Sequence, residues 1–162
     1  MRNGLFLDRD GVINRERGAH TADIDQFEIL PGVVEGIRAA TAKGWGVVVI
    51  TNQSGIALGL YDHATVAAMH ARLHAVLGAA GTAVADILYC PHHPDHGRCL
   101  CRKPGGLLLE RAVARHGLDP VGSVMIGDRQ RDVDAATSMG ARGILVPANR
   151  DLMDTLRTNG LV

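Results

Sequence analysis

Aromatic residues make up only 3% of this chain, one Trp, two Tyr and two Phe. It therefore lacks the stacking platform on which single-stranded nucleic acids bind. It also lacks a charge surplus: 17 Lys and Arg stand against 17 Asp and Glu, which removes the broad cationic field that nucleic acid or anionic lipid requires. No apolar run approaches the roughly 18–20 residues of a membrane span. The apolar stretch after Met1-Arg2 ends at Asp8, too short for a signal-peptide core. A soluble cytoplasmic protein without nucleic-acid or membrane partners is expected. Its 162 residues, 46% hydrophobic and 21% charged, suit one globular domain over 1–162 rather than a disordered chain. Cysteine is scarce too. The three present, Cys90, Cys99 and Cys101, share one short segment with His92, His93 and His96. Three is awkward for a disulfide framework, and clustered Cys and His in a reducing compartment point to metal.

Short apolar runs alternate with longer Ala-rich amphipathic stretches. Leu5-Phe6-Leu7, Val47 to Ile50, Ile87-Leu88-Tyr89, Ser123 to Ile126 and Gly143 to Val146 read as five strands. Between them, Pro31 stands where a helix can begin, with Val33, Val34, Ile37 and Ala40 at helical spacing before Gly44. Asp62 can cap a second helix carrying Val66, Met69, Leu73 and Val76. A third runs from about Gly106 to His116, and a fourth carries Val133, Ala136 and Met139 before Gly140. Leu152, Leu156 and Val162 suggest a last helix. Strand and helix alternating in this way predict an α/β fold, a parallel sheet covered on both faces, with ligands at the carboxyl ends of its strands. No segment is large enough for a separate helical cap. The polar residues that end strands, Asp8, Thr51, Cys90 and Asp128, become the candidates for chemistry.

Asp8-Arg9-Asp10-Gly11-Val12 places two carboxylates one residue apart where a buried strand opens into a loop. Gly127-Asp128-Arg129-Gln130-Arg131-Asp132 follows another central strand. Adjacent in one sheet, these segments would bring three carboxylates together, and so much unpaired negative charge calls for a cation. Oxygen ligands favour Mg²⁺. Thr51, the donor-rich Asn52-Gln53-Ser54-Gly55 loop and Lys103 supply the groups that hold a phosphoryl moiety near such an ion. Each taken alone also fits a strand-end cap or a surface charge; their placement at successive strand ends favours the site.

Cys90-Pro91-His92 and Cys99-Leu100-Cys101 form a C-x-H…C-x-C arrangement, the Cys₃His set of a closed, structural zinc site. His93 and His96 compete with His92 on spacing alone. A zinc-stapled loop 90–101 would order the following Arg102 and Lys103.

D-x-D-x-V after the first strand, Thr after the second, Lys before a later helix and G-D-x-x-x-D after the fourth resemble the haloacid dehalogenase-like superfamily across essentially the whole chain. That resemblance implies a three-layer Rossmann-like fold with a minimal cap. It implies Asp8 as the nucleophile that forms an aspartyl-phosphate. Asp10 becomes the acid and base whose backbone carbonyl also touches Mg²⁺. Asp128 becomes the further side-chain ligand, Asp132 an auxiliary group, and Thr51 and Lys103 the phosphoryl holders. Chemistry agrees on one point: an alkoxide leaving group needs a proton and a halide does not, so Asp10 argues for phosphate chemistry. The zinc loop, Asp8 to Asn14 and Thr51 to Ile56 resemble a branch of sugar bisphosphate phosphatases, those acting on D-glycero-D-manno-heptose 1,7-bisphosphate, which shares its loop with the histidinol phosphatases. Ser54-Gly55-Ile56 and Ala57 to Tyr61 are nearer the heptose branch. By that resemblance Glu16, Arg17, Gly18, Ala19, Asn52, Gln53, Ser54, Arg102 and Arg129 contact substrate, and the two arginines would suit a second phosphate unaided. The expected enzyme removes the 7-phosphate of a small phosphorylated sugar as a monomer. Histidinol-phosphate hydrolysis and a non-catalytic zinc-stapled module that binds a phosphorylated ligand are the alternatives.

Overall fold

Successive side chains of a strand point to opposite faces, and here both faces are apolar. The computed structural model describes all 162 residues and contains strands β1 (Arg2–Leu7), β2 (Gly46–Asn52), β3 (Asp86–Cys90), β4 (Leu118–Gly127) and β5 (Arg142–Leu145). Leu5 and Leu7 of β1, Val47 and Val49 of β2, and Val124 and Ile126 of β4 belong to one core layer. Phe6, Val48, Ile50 and Met125 belong to the other. The strands pair in parallel in the order β3-β2-β1-β4-β5, which is the Rossmann-like α/β sheet expected.

Helices α1 (Val33–Ala42), α2 (His63–Ala79) and α5 (Leu152–Thr158) bury Val33, Ile37, Met69, Leu73, Leu152 and Leu156 on the first face. Helices α3 (Leu107–His116) and α4 (Gln130–Ser138) bury Leu108, Leu109, Ala112, Ala135 and Ala136 on the second. No helix is long and apolar enough to cross a membrane. Asp62 caps α2, accepting the Thr65 amide at 2.8 Å, and Asp151 caps α5 through the Asp154 amide at 3.0 Å.

Several boundaries differ from the sequence pattern. Pro31 stays outside α1, which begins behind Gly32 at φ 75°, a left-handed position packed against the Asp151 side chain. Val76 is exposed and Leu77 takes the buried position, because the stripe on α2 drifts round the helix. The last helix does form, but Val162 lies beyond it. β4 starts at Leu118, directly after the Gly117 stop of α3, and β5 ends before Val146. β3 is an edge strand, with only Cys90 fully buried.

From β1 the chain winds outward to β3, then returns to place β4 on the other side of β1. That reversal opens a crevice at the carboxyl ends of β1 and β4. The 8–32 connection borders it, folded back through bridges from Asn14 to Asp10 and Ile29 and through the Arg15–Glu28 ion pair at 2.8 Å.

Candidate active site

Leu7 pairs with Val49 and with Ile126, so Asp8, Thr51 and Asp128 come to one rim. Asp8 is 5% exposed, and its Oδ1 accepts the Arg9 amide at 2.8 Å and the Lys103 ammonium at 2.9 Å. Lys103 is fully enclosed, with Nζ also donating to the Ile50 carbonyl at 2.7 Å and lying 2.6 Å from Asp132 Oδ1. It arrives from a segment 95 residues away in sequence. Asn52 clamps that segment: its amide donates to the Lys103 carbonyl at 3.2 Å and accepts the Lys103 N–H at 3.0 Å. Asp132 accepts the Arg129 amide at 3.0 Å at the start of α4, and Gly127 leaves room for it, since any Cβ there would overlap the Asp132 side chain.

Two carboxylates thus share one ammonium. Burial pushes the Asp8 carboxyl up to about 7; Asp132 and Asp10 add to this and Lys103 opposes it. Burial pulls Lys103 down, but Asp8 and Asp132 outweigh it and hold the ammonium above its usual value. Asp128 is likewise raised, first by burial and then by Asp132 and Glu16, against Arg129. Carboxylate oxygens of Asp8, Asp128 and Asp132 lie within 4.8 Å of one another. Gly11, at φ 85°, is what lets Asp128 reach this point, because a Cβ there would sit 2.6 Å from Asp128 Oδ2. An excess of hard oxygen donors around one cation is a set a divalent metal fits.

Asp10 stands above this floor, its side chain 25% exposed. Burial works against its charge, but Arg9, Asn14 and Gln53 prevail and hold the carboxyl below its ordinary value. Gln53 Nε2 donates to Asp10 Oδ2 at 2.9 Å and to Thr51 Oγ at 2.8 Å, while its Oε1 accepts the Tyr61 hydroxyl at 2.7 Å. Gln53 is buried, with both amide N–H groups donated and its Oε1 engaged by Tyr61. It holds Asp10 and Thr51 in place while lining the cleft between them and solvent. Asn52 is similarly committed to Lys103. Glu16, Gly18, Ala19, Asn52, Gln53, Ser54, Arg102 and Arg129 line a cleft of about 400 Å³ with Asp10, and Arg17 is exposed outside that lining. His20, Thr21, Tyr61, His93 and Arg131 also line it. His20, Thr21, Tyr61 and Arg131 carry no spacing signal and His93 carries one only as a zinc candidate, since the five meet only through the folded 8–32 connection, the loops after β2 and β3 and the start of α4.

Beyond β3, His92 Nδ1 lies 3.4 Å from Cys90 Sγ and 3.2 Å from Cys101 Sγ, with Cys90 2.9 Å from Cys101 and 3.6 Å from Cys99. No disulfide joins the thiols. Such separations approach the edges of a tetrahedron around a zinc ion with bonds of roughly 2.0–2.3 Å. His93 instead sits 3.6 Å from Asp95, and His96 packs beside His93. Geometry therefore sets His92, not its two competitors, among the sulfurs.

The HAD-hydrolase-like family model matches residues 100–159. The D-glycero-β-D-manno-heptose-1,7-bisphosphate 7-phosphatase of Pseudomonas putida is 46% identical over 149 residues, spanning 90% of this chain and 83% of its own. The corresponding protein of Bordetella bronchiseptica is 40% identical over 157 residues, spanning 97% and 87%. This chain belongs to the heptose-1,7-bisphosphate 7-phosphatase family of HAD-like hydrolases. A crystal structure of the B. bronchiseptica family member, complexed with magnesium and phosphate, matches with a TM-score of 0.84 at 39% identity, covering 98% of this chain and 88% of that one. Within the family, the Burkholderia mallei relative, 34% identical and spanning 93% of this chain and 83% of its own, is named for the α anomer.

Proposed function

We propose that this chain is a Mg²⁺-dependent phosphatase that removes the 7-phosphate of D-glycero-D-manno-heptose 1,7-bisphosphate through an aspartyl-phosphate on Asp8. The observation that carries the proposal is the buried Asp8–Lys103 pair at 2.9 Å with Asp10 facing the cleft. A phospho-ligand binding module has no use for a nucleophile and an acid so arranged. Mg²⁺, held by the Asp8 and Asp128 carboxylates and the Asp10 carbonyl, would supply neutralisation of the phosphoryl oxygens.

The chain's residues do the rest. Lys103 and Thr51 hold the phosphoryl oxygens, and the ammonium also keeps the Asp8 carboxylate aimed at phosphorus. Asp10 gives a proton to the departing sugar oxygen and later takes one from water. Asp132 anchors Lys103 from behind. Arg102, Arg129 and Arg131 converge on the cleft, a cationic rim suited to the phosphate that remains on the sugar. Relatives at 40–46% identity are named for the β anomer, which supports it as the preferred substrate. A structural zinc on Cys90, His92, Cys99 and Cys101 would fix the loop that delivers Arg102 and Lys103. The proposal extends to a cytoplasmic monomer.

The test is kcat/KM measured side by side on both anomers of heptose 1,7-bisphosphate and on histidinol phosphate, with and without Mg²⁺. Preference for the β anomer is expected. Preference for histidinol phosphate would overturn the substrate, and Mg²⁺-independent or absent turnover the mechanism. A mass of twice 17.2 kDa in dilute solution would reject the monomer.

A further inference from the structure

The two oxygens of Asp10 are held unequally. Oδ1 accepts from Asn14 Nδ2 at 2.9 Å, from an Arg9 terminal nitrogen at 3.1 Å and from the Thr21 hydroxyl at 3.2 Å. Oδ2 accepts only from Gln53 Nε2, at 2.9 Å. A carboxylate oxygen offers about two lone-pair sites, so Oδ1 is saturated and Oδ2 keeps one open.

Arg9 is the unusual member of this set. It is 0% exposed, its guanidinium carbon lies 5.4 Å from the Phe27 ring centroid, and its other terminal nitrogen reaches only the Met69 sulfur at 3.7 Å. Its Nε has no partner, and Asp10 is its sole carboxylate. Enclosing a guanidinium is costly unless it is well paired. Between Phe27 and Met69 an apolar side chain would pack without that cost. The charge is accounted for by where it points.

We infer that Arg9 is a positioning residue: with Asn14 and Thr21 it locks Oδ1 of Asp10 and so presents Oδ2 as the oxygen that moves the proton. The inference rests on the reading of Asp10 as acid and base. In the first half-reaction an Asp8 oxygen bonds to phosphorus and the phosphorus–oxygen bond to the sugar breaks. Asp10, ionised in the resting site, takes up a proton on Oδ2 from solvent as the phosphorylated substrate binds and passes it to the departing oxygen, giving an alcohol and an ionised Asp10. In the second, water gives a proton to Oδ2 as its oxygen bonds to phosphorus. The bond to Asp8 then breaks, restoring its carboxylate and releasing inorganic phosphate.

The leaving group provides the test. kcat/KM reports steps only through the first irreversible one, which includes leaving-group departure, so it reads the first proton transfer without the second. Wild type, Arg9→Met, Thr21→Val and Asp10→Asn are compared on heptose 1,7-bisphosphate, whose alkoxide needs a proton, and on p-nitrophenyl phosphate, whose aryl oxide does not. Arg9→Met is expected to lose about 100-fold on the sugar, at the lower end of what acid–base assistance supplies, and less than about fivefold on the aryl ester. Thr21→Val removes one Oδ1 donor and should show the same split at roughly three- to tenfold. Equal losses on both substrates in Arg9→Met would mean a merely structural role and overturn the inference. Should Arg9→Met fail to fold, Thr21→Val decides by the same criterion. Asp10→Asn separates the two layers. A large split there without one in Arg9→Met sinks only the Arg9 inference, whereas equal losses in Asp10→Asn sink the acid–base reading itself.

Discussion

Removing the proposed nucleophile should abolish turnover and, in the metal-free protein, raise stability. Asp8 and Asp132 compete for Lys103, at 2.9 and 2.6 Å, in a nearly enclosed region. Burial, the largest influence on Asp8, carries its carboxyl from 3.8 to about 7 in spite of that ammonium. A folded-state pKa above the unfolded one means the folded chain binds the proton more tightly. Stability contributed by the protonated form therefore falls as pH rises from about 4 to about 7 and is gone above that window. Integrated between about pH 5 and pH 8, the loss is roughly 3 kcal/mol for this group. Asp8→Asn cannot ionise and lacks the decline. The assay is urea unfolding of both proteins in chelator across that range, with the difference between them isolating Asp8 from groups they share. Wild type should fall by roughly 3 kcal/mol relative to Asp8→Asn, and the variant should be the more stable at pH 8. Added Mg²⁺ should then stabilise wild type, by about 2.7 kcal/mol at a hundred times its Kd, and leave the variant nearly unmoved. Parallel stability profiles, or an Asp8→Asn protein less stable at pH 8, would refute the account of two carboxylates crowding one buried cation.

Cys99→Ala should lose zinc by elemental analysis and lower the Tm by roughly 10 °C, reflecting the coupling of metal to loop order; an unchanged Tm and full kcat/KM would separate the cluster from the Lys103 segment. His70 is 8% exposed with its Nε2 unpartnered, and burial, joined by Arg9, lowers its pKa to about 4. Its stabilising contribution should be complete above about pH 6.5 and decline toward pH 4, by up to about 3 kcal/mol, and unfolding of His70→Phe over that range should lack the decline. Gly11→Ala forces a Cβ against Asp128 at φ 85°, so it should cost about 1–2 kcal/mol in unfolding and weaken Mg²⁺ binding by calorimetry. Unaltered Mg²⁺ affinity would show that Asp128 does not need that gap.

Much of this protein is legible in the sequence because the relevant patterns are local. The apolar run Val47 to Ile50 announces a strand buried on both faces, and the crowding of Cys90, His92, Cys99 and Cys101 within twelve residues announces a metal loop. Strand ends identify Asp8, Thr51 and Asp128, since a parallel sheet gathers its ligands there. The sequence alone could not order the strands. Only the return of the chain to seat β4 beside β1 brings Asp128 to Asp8. Nor could spacing choose His92 over His93, because adjacent residues differ in direction and only the loop's folded path turns one toward the thiols. Gln53 and Arg9 make the same point. Gln53 reads as a substrate contact and no pattern singles out Arg9, yet burial ties both to Asp10. Local pattern alone supplies the reactive groups and the layered fold that carries them. Which groups are enclosed to aim the others depends on the folded path of the chain, because enclosure removes water as the competing partner and favours hydrogen bonds among the buried groups.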